Sequence, residues 1–292
     1  MIKTLSSEFK IQSLCQVLGV SRSAYYAYVN EQSYVLKSAK SEIAVAVKRI
    51  FDCHKRRYGW RRIQGDLSDE GIQVGRYQIR SRMREQNLIA IQPKSFVPKT
   101  TQSPPHLRRS PNLLLEESNL PVAPGEVIVG DITYLPNKEQ GCSKWLYLAI
   151  WMDLFSRRIL GWQIERHMEE SLVYAALEQV IEKIALQKGF IVHSDGGGQY
   201  GGLRFRALIQ LQGFRQSMTR RDNHYDNAFA ESLFSRFKAE ILDEGIFTGL
   251  ENARLRSFEF IDGYYNTIRR HSSIGNISPM EFERRFDKES KN

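Results

Sequence analysis

The chain has 292 residues, 41% of them hydrophobic and 11% aromatic, with three cysteines and a formal net charge of +9. A chain of that length and apolar content builds two or more packed cores, which excludes a disordered or fibrous protein. Cys15, Cys53 and Cys142 form no Cys-x-x-Cys pair, which argues against a disulfide framework or a zinc site.

No apolar run approaches the roughly 20 residues of a membrane span, and the N-terminus lacks a signal peptide's apolar core. The expectation is a cytoplasmic protein with free thiols and no membrane partner. The charge is unevenly spread. Residues 1–120 carry 20 Lys and Arg against 10 Asp and Glu, whereas residues 121–292 carry 22 against 23. An N-terminal region with all the excess positive charge is expected to meet a polyanion, and the near-neutral remainder to do something else.

Residues 1–40 contain a short helix-turn-helix pattern. Leu14, Val17 and Leu18 make one buried stripe, Gly19-Val20-Ser21 is the turn with Ser21 as N-cap, and a second helix follows with Arg22 at its head. An ordinary helical hairpin fits the same residues. Residues 41–92 read as a second helical unit for DNA. Ile43, Val47, Ile50 and Phe51 mark its first helix, Trp60-Arg61-Arg62-Ile63 opens a second that Gly71 ends, and Arg76 to Gln86 is a third. Arg76, Arg80, Arg82 and Arg84 on that third helix, with Arg61 and Arg62, suit phosphate contact, which supplies affinity without sequence choice. Residues 93–124 hold seven prolines and no sustained periodicity, and read as an extended linker. Its Lys94, Lys99, Arg108 and Arg109 either track a DNA backbone or simply tether.

The segment 125–245 carries the chemistry. Glu126 to Tyr134 is a β-branched run interrupted by Asp131, an anomaly inside a strand. Trp145–Asp153 and Arg158–Ile164 read as further strands of an antiparallel meander. Glu169 to Leu186 is an amphipathic helix. Phe190 to Ser194 is an apolar strand that delivers Asp195 to its C-terminal end, where three glycines follow. A helix from Leu203 to Gln212 and a short strand near Phe214 precede a last helix, on which Ala230, Leu233, Phe234, Phe237 and Ile241 form the core stripe and Asn227, Glu231, Ser235 and Lys238 a polar one. His193, Ser194 and Asp195 cannot form a hydrolase triad, because neighbours on one strand point to opposite faces. Asp153 reads as a structural strand-end acid. Asp131, Asp195 and Glu231 make a plausible oxygen cage for divalent cations such as Mg²⁺. Residues 246–292 add a helical extension in which Arg269, Arg270 and His271 either clamp DNA or offset a helix end.

Gly130-Asp131-Ile132-Thr133-Tyr134, His193-Ser194-Asp195 with Gln199-Tyr200, and Asp226-Asn227-Ala228 leading to Glu231 resemble the Asp-Asp-Glu signature of the retroviral-integrase superfamily. More narrowly they resemble transposases of the insertion-sequence family numbered three. The 35 residues between Asp195 and Glu231, Lys238 seven positions on, and Tyr265 to Ser273 with Ser278-Pro279 belong to the same resemblance. It spans about residues 41–286. Gly196 and Gly198 depart from it, standing where relatives often have Arg and Ser, as does Val129 where many have a bulky aromatic.

The resemblance implies an α/β, ribonuclease H-like integrase core, a mixed five-stranded sheet flanked by helices, preceded by helical helix-turn-helix-type DNA-binding units. It implies a bacterial transposase, nucleoid-associated, in which Asp131, Asp195 and Glu231 hold two Mg²⁺ or Mn²⁺ ions for DNA cleavage and strand transfer, with Lys238 contacting DNA. Its implied partners are the terminal inverted repeats of the element, target DNA, further copies of the chain in a dimer or larger assembly, and an upstream-frame protein or fusion. A catalytically inactive DNA-binding regulator and a simple metal-dependent nuclease are the competing readings.

Overall fold

The computed structural model describes residues 2–30, 32–93, 109–184, 189–220 and 228–290, with the backbone alone for 32–41 and 228. The chain divides into two compact units, Met1–Ala90 and Ile91–Asn292.

The first unit is helical. A single turn, α1 (Ile2–Leu5), precedes α2 (Ile11–Val17) and α3 (Arg22–Val29), and the Ser21 hydroxyl caps α3 by accepting from the Ala24 N–H at 3.2 Å. Gly19 takes φ +64°, the left-handed conformation that the tight turn requires and that glycine adopts without steric cost. Helix α4 (Gln32–Cys53) runs through the boundary expected at residue 40. With α5 (Trp60–Asp69) and α6 (Arg76–Glu85) it encloses Val47, Ile50, Phe51, Ile63, Leu67 and Ile79. Gly71 ends α5 at φ +79°, with the Ile72 N–H returning to the Leu67 carbonyl.

The second unit is built on a five-stranded sheet ordered β3-β2-β1-β4-β5. Strands β1 (Val127–Pro136), β2 (Trp145–Asp153) and β3 (Ile159–Glu165) form the antiparallel meander, while β4 (Ile191–Ser194) and β5 (Arg215–Met218) run parallel to β1. This is the mixed sheet expected of a ribonuclease H-like core. Alternate residues of β1 face opposite layers. Ile128 joins Trp151, Leu160 and the apolar sides of α7 (Glu170–Lys183) and α8 (Leu203–Leu211). Val127, Val129 and Leu135 join α9 (Ala228–Leu242), α10 (Leu250–Phe260) and the π-helical turn Ile261–Tyr265. Helix α11 (Pro279–Glu289) closes the described chain and ties back to the meander through Glu283, which accepts from Ser156 and Arg158 at 2.7 Å each.

Two glycines make room for close approach, one to a ring on the next strand and one to a helix. A Cβ on Gly130 would lie 2.3 Å from the Trp151 ring, and one on Gly161 would lie 2.1 Å from the Ala176 carbonyl oxygen of α7. The stretch after residue 108 is more than the expected linker. Leu113 and Leu114 pack against the core, the Leu113 N–H donates to Ser217 Oγ at 2.9 Å, and the Met218 N–H donates to the Pro111 carbonyl. The prolines remove periodicity, but the leucines still bury apolar surface, and that anchors the strap on β5.

Candidate active site

Asp131 sits within β1 on the face that carries Val127, Val129 and Leu135, opposite α9. Strands β1 and β4 pair Gly130 with Ser194, so Asp131 and Asp195 are the next residues on two adjacent parallel strands. The carboxylates therefore share the end of β4. Asp131 accepts from its own neighbour, the Ile132 N–H, at 2.7 Å, and Asp195 Oδ1 accepts from the Gly197 N–H at 3.0 Å.

The electrostatics register this crowding. Although Asp131 retains some solvent access, the surrounding protein strips water from its carboxyl, and that desolvation with the charges of Asp195 and Glu231 pushes its pKa well above the usual range. The Ile132 N–H and Lys238 offset only part of this. Burial likewise raises Asp195, against the Gly197 N–H and the Arg109 guanidinium, which lower it. Lys238 is depressed by burial and held up by Asp131. Glu231 is exposed in the first turn of α9, near enough for its charge to help raise the Asp131 pKa.

Among the described residues no three His, Cys, Asp or Glu side chains lie close enough to form a ready metal cluster. The donor chemistry nonetheless suits a hard cation. Among the described residues the two carboxylates, pressed together, accept one hydrogen bond apiece, and the buried Tyr200 hydroxyl beside them finds no hydrogen-bond partner and has a raised pKa, from burial and then from Asp195 and Asp131.

The other expected residues fall in different places. Arg22 is exposed at the first position of α3. Arg61 is exposed over the Trp60 ring, and Arg76, Arg80 and Arg84 are exposed along α6, with Arg76 also bonded to the Tyr77 hydroxyl at 2.8 Å. Arg62 is half-buried, donates to the Arg57 carbonyl and stacks its cation over Tyr58. Arg269 is a correction. It is 3% exposed and makes a forked ion pair with Glu240, itself 2% exposed, so it is unavailable to a DNA clamp. The cause is tertiary, since the partners stand 29 positions apart and local reading cannot see the pairing. His271 caps the turn Ser272–Ile274, its Nδ1 lying 2.9 Å from Ser273 Oγ. Asp153 is the structural acid expected, accepting from the Gly125, Phe155 and Ser156 N–H groups. His193 is fully buried, with Nδ1 2.8 Å from Ser217 Oγ. Asp226, Asn227, Lys94, Lys99 and Arg108 lie outside the described residues.

One feature of the site was illegible in the sequence. The Arg109 guanidinium lies against Gly196, whose absent side chain offers no pattern that names its neighbour.

Comparison with known proteins agrees with this architecture. Residues 38–96 match the HTH-like domain, and residues 121–224 and 212–279 match two models of the integrase core domain. The chain is 32% identical over 284 residues to the transposase InsF for insertion sequence IS3A of Escherichia coli, covering 97% of this chain and 96% of that protein. The chain belongs to the IS3 family of insertion-sequence transposases. It is also similar to the transposase for insertion sequence element IS904 of Lactococcus lactis, at 35% identity over 82% of this chain and 92% of that one. A 31 kDa protein of insertion element IS600 from Shigella sonnei is 34% identical, over 94% and 98% of the two chains. Among solved structures, a simian T-cell lymphotropic virus intasome matches with a TM-score of 0.46 at 15% identity, over 75% of this chain and 70% of that one. The HTLV-2 integrase catalytic core domain in complex with magnesium matches at 0.41 and 13%, over 56% and 98%. Among the described residues, no helix is long and apolar enough to cross a membrane.

Proposed function

We propose that this IS3-family transposase cleaves DNA at the ends of its element and joins the freed strands to target DNA, with Asp131, Asp195 and Glu231 as the catalytic carboxylates. The observation that carries the reading is the meeting of Asp131 and Asp195 on adjacent parallel strands, where each keeps a carboxylate oxygen for a ligand outside the protein. Like charges held this close raise one another's pKa unless a cation is bound between them. Asp131 and Asp195 would hold Mg²⁺, or Mn²⁺, as a pair of ions, with Glu231 completing the set. When bound, such ions supply electrophilic stabilisation to the attacking and leaving oxygens of a phosphodiester.

The chain's own groups do the rest. Lys238 places a cation beside Asp131, where it offsets part of the negative charge that a substrate phosphate would meet. In the turn that follows Asp195, the Gly197 N–H orients that carboxylate. Exposed Arg61, Arg76, Arg80 and Arg84 supply a cationic face for the phosphates of the terminal repeats, and Arg22 a second one. Joining two ends calls for two copies or more on DNA, in the bacterial nucleoid, with or without an upstream-frame segment.

The test is Asp195→Asn. It should abolish Mg²⁺-dependent joining of a terminal-repeat duplex to plasmid DNA while leaving the duplex bound with unchanged affinity. Joining at the parent rate removes Asp195 from the site, and nicked plasmid without joined product from the wild-type chain favours a nuclease.

A further inference from the structure

Gly196 follows Asp195 directly, and a Cβ built on it would lie 2.5 Å from Arg109 Cζ, 2.6 Å from Nη2 and 2.8 Å from Nη1. The guanidinium thus occupies the volume a side chain at 196 would fill. It arrives there from 87 residues upstream, on a strap fastened beside the site by three hydrogen bonds. Ser110 Oγ donates to Gln216 Oε1 at 3.0 Å, the Met218 N–H to the Pro111 carbonyl at 3.3 Å, and the Leu113 N–H to Ser217 Oγ at 2.9 Å. All three partners lie on β5, the parallel neighbour of the strand that ends in Asp195. Gln216 in turn donates to the Tyr200 carbonyl at 2.6 Å, so the strap, β5 and the turn after Asp195 form one connected unit.

On the Asp195 side the restraint is thin. Among the described residues its carboxylate has a single hydrogen bond, from the Gly197 N–H, and it stands next to Asp131, which repels it. A planar cation packed on the following glycine supplies what that turn lacks, an attractive charge and a wall that fixes the backbone.

We propose that Arg109 is a positioning residue of the active site, a guanidinium delivered in cis by the strap into the space left by Gly196, which holds the Asp195 turn in the geometry that keeps its carboxylate beside Asp131. The proposal rests on the reading of Asp195 as a catalytic carboxylate. Arg109 acts through the turn and needs no contact of its own with DNA.

Gly196 makes the test specific. The atoms that a Cβ there would strike are the far end of a flexible side chain, so Gly196→Ala displaces the guanidinium without disturbing backbone packing. Four full-length proteins are compared: the parent, Arg109→Ala, Gly196→Ala and the double variant. The readouts are Mg²⁺-dependent joining of a duplex bearing the terminal sequence of the encoding element, anisotropy of that duplex for binding, and thermal melting. Each single change is expected to slow joining about 10- to 100-fold, the range for misplacing a reacting group by around 1 Å, with duplex binding and melting held. The double variant is expected to match the singles, because the second change removes nothing the first has left. Joining by Arg109→Ala at the parent rate, or a double variant that falls to the product of the two single losses, overturns the proposal. If melting shows that Arg109→Ala unfolds, Arg109→Gln replaces it, keeping the stem and removing the charge, with the same two outcomes. A parent protein that binds the duplex but never joins it refutes the transposase reading instead, a result distinct from any pattern among the variants.

Discussion

Removing Arg269 tests whether its guanidinium serves the fold or DNA. The pair with Glu240 is 3% and 2% exposed, with Nε to Oε2 at 2.9 Å and Nη2 to Oε1 at 2.5 Å. Burial alone would depress the guanidinium pKa, and the paired hydrogen bonds and charge of Glu240 more than offset it, leaving the cation firmly protonated. Arg269→Ala removes the partner of the buried Glu240, a change that costs about 3–5 kcal/mol. For a unit of this size each kcal/mol shifts melting by about 2–4 °C, so the variant should melt about 6–20 °C below the parent. Replacing both partners, Arg269→Met with Glu240→Leu, removes the stranded charge and should recover most of that loss. Urea and thermal unfolding measure the stability, and the salt dependence of duplex binding measures the DNA side. A variant that melts with the parent but binds DNA with a shallower salt slope would refute the buried-pair account and restore Arg269 to the DNA surface.

The Asp131 carboxyl, raised above the ordinary carboxylate value of about 3.9, should make stability fall as pH rises. Below that value both the folded and unfolded chains hold the proton; above it the unfolded chain ionises first, and the loss is complete once the folded site has ionised too. Asp131→Asn in EDTA should therefore melt above the parent at pH 7, with the gap closing toward pH 4, and added Mg²⁺ should raise the parent alone; equal melting at pH 7 would contradict the crowding of the carboxylates. Gly161→Ala drives a Cβ into the Ala176 carbonyl oxygen, a backbone atom held in α7, and should cost about 1–3 kcal/mol in urea unfolding. An unchanged midpoint would mean that strand and helix are not in close contact there. Arg80→Ala should lower the slope of log affinity against log salt by about 0.9, the share of one phosphate contact, and an unchanged slope removes Arg80 from the DNA face.

Local pattern alone was enough to set much of this protein's architecture. The β-branched run around Asp131 and the apolar run before Asp195 became β1 and β4, and Trp145–Asp153 is β2 residue for residue. The stripe from Ala230 to Ile241 is the buried side of α9, and Ser21 caps α3 as its position suggested. Periodicity of two and of 3.6 is a property of the chain itself, so strands, helices and their inward faces can be read without knowing what they touch.

What depended on tertiary structure is the set of pairings between distant residues. Arg269 carries the same charge whether it faces DNA or Glu240, and only the packing of α9 against the C-terminal turns buries it. The strap from Arg109 to Leu115 reads as linker because the proline-rich stretch it belongs to carries no period, and its docking depends on hydrogen bonds to β5 about a hundred positions later. Gly196 is silent in the sequence for the same reason: a missing side chain has no chemistry until another residue's guanidinium fills its space. The side chains and their periods are inherent in the chain, whereas the partner of a buried charge or an open volume exists only once the sheet has brought remote segments together.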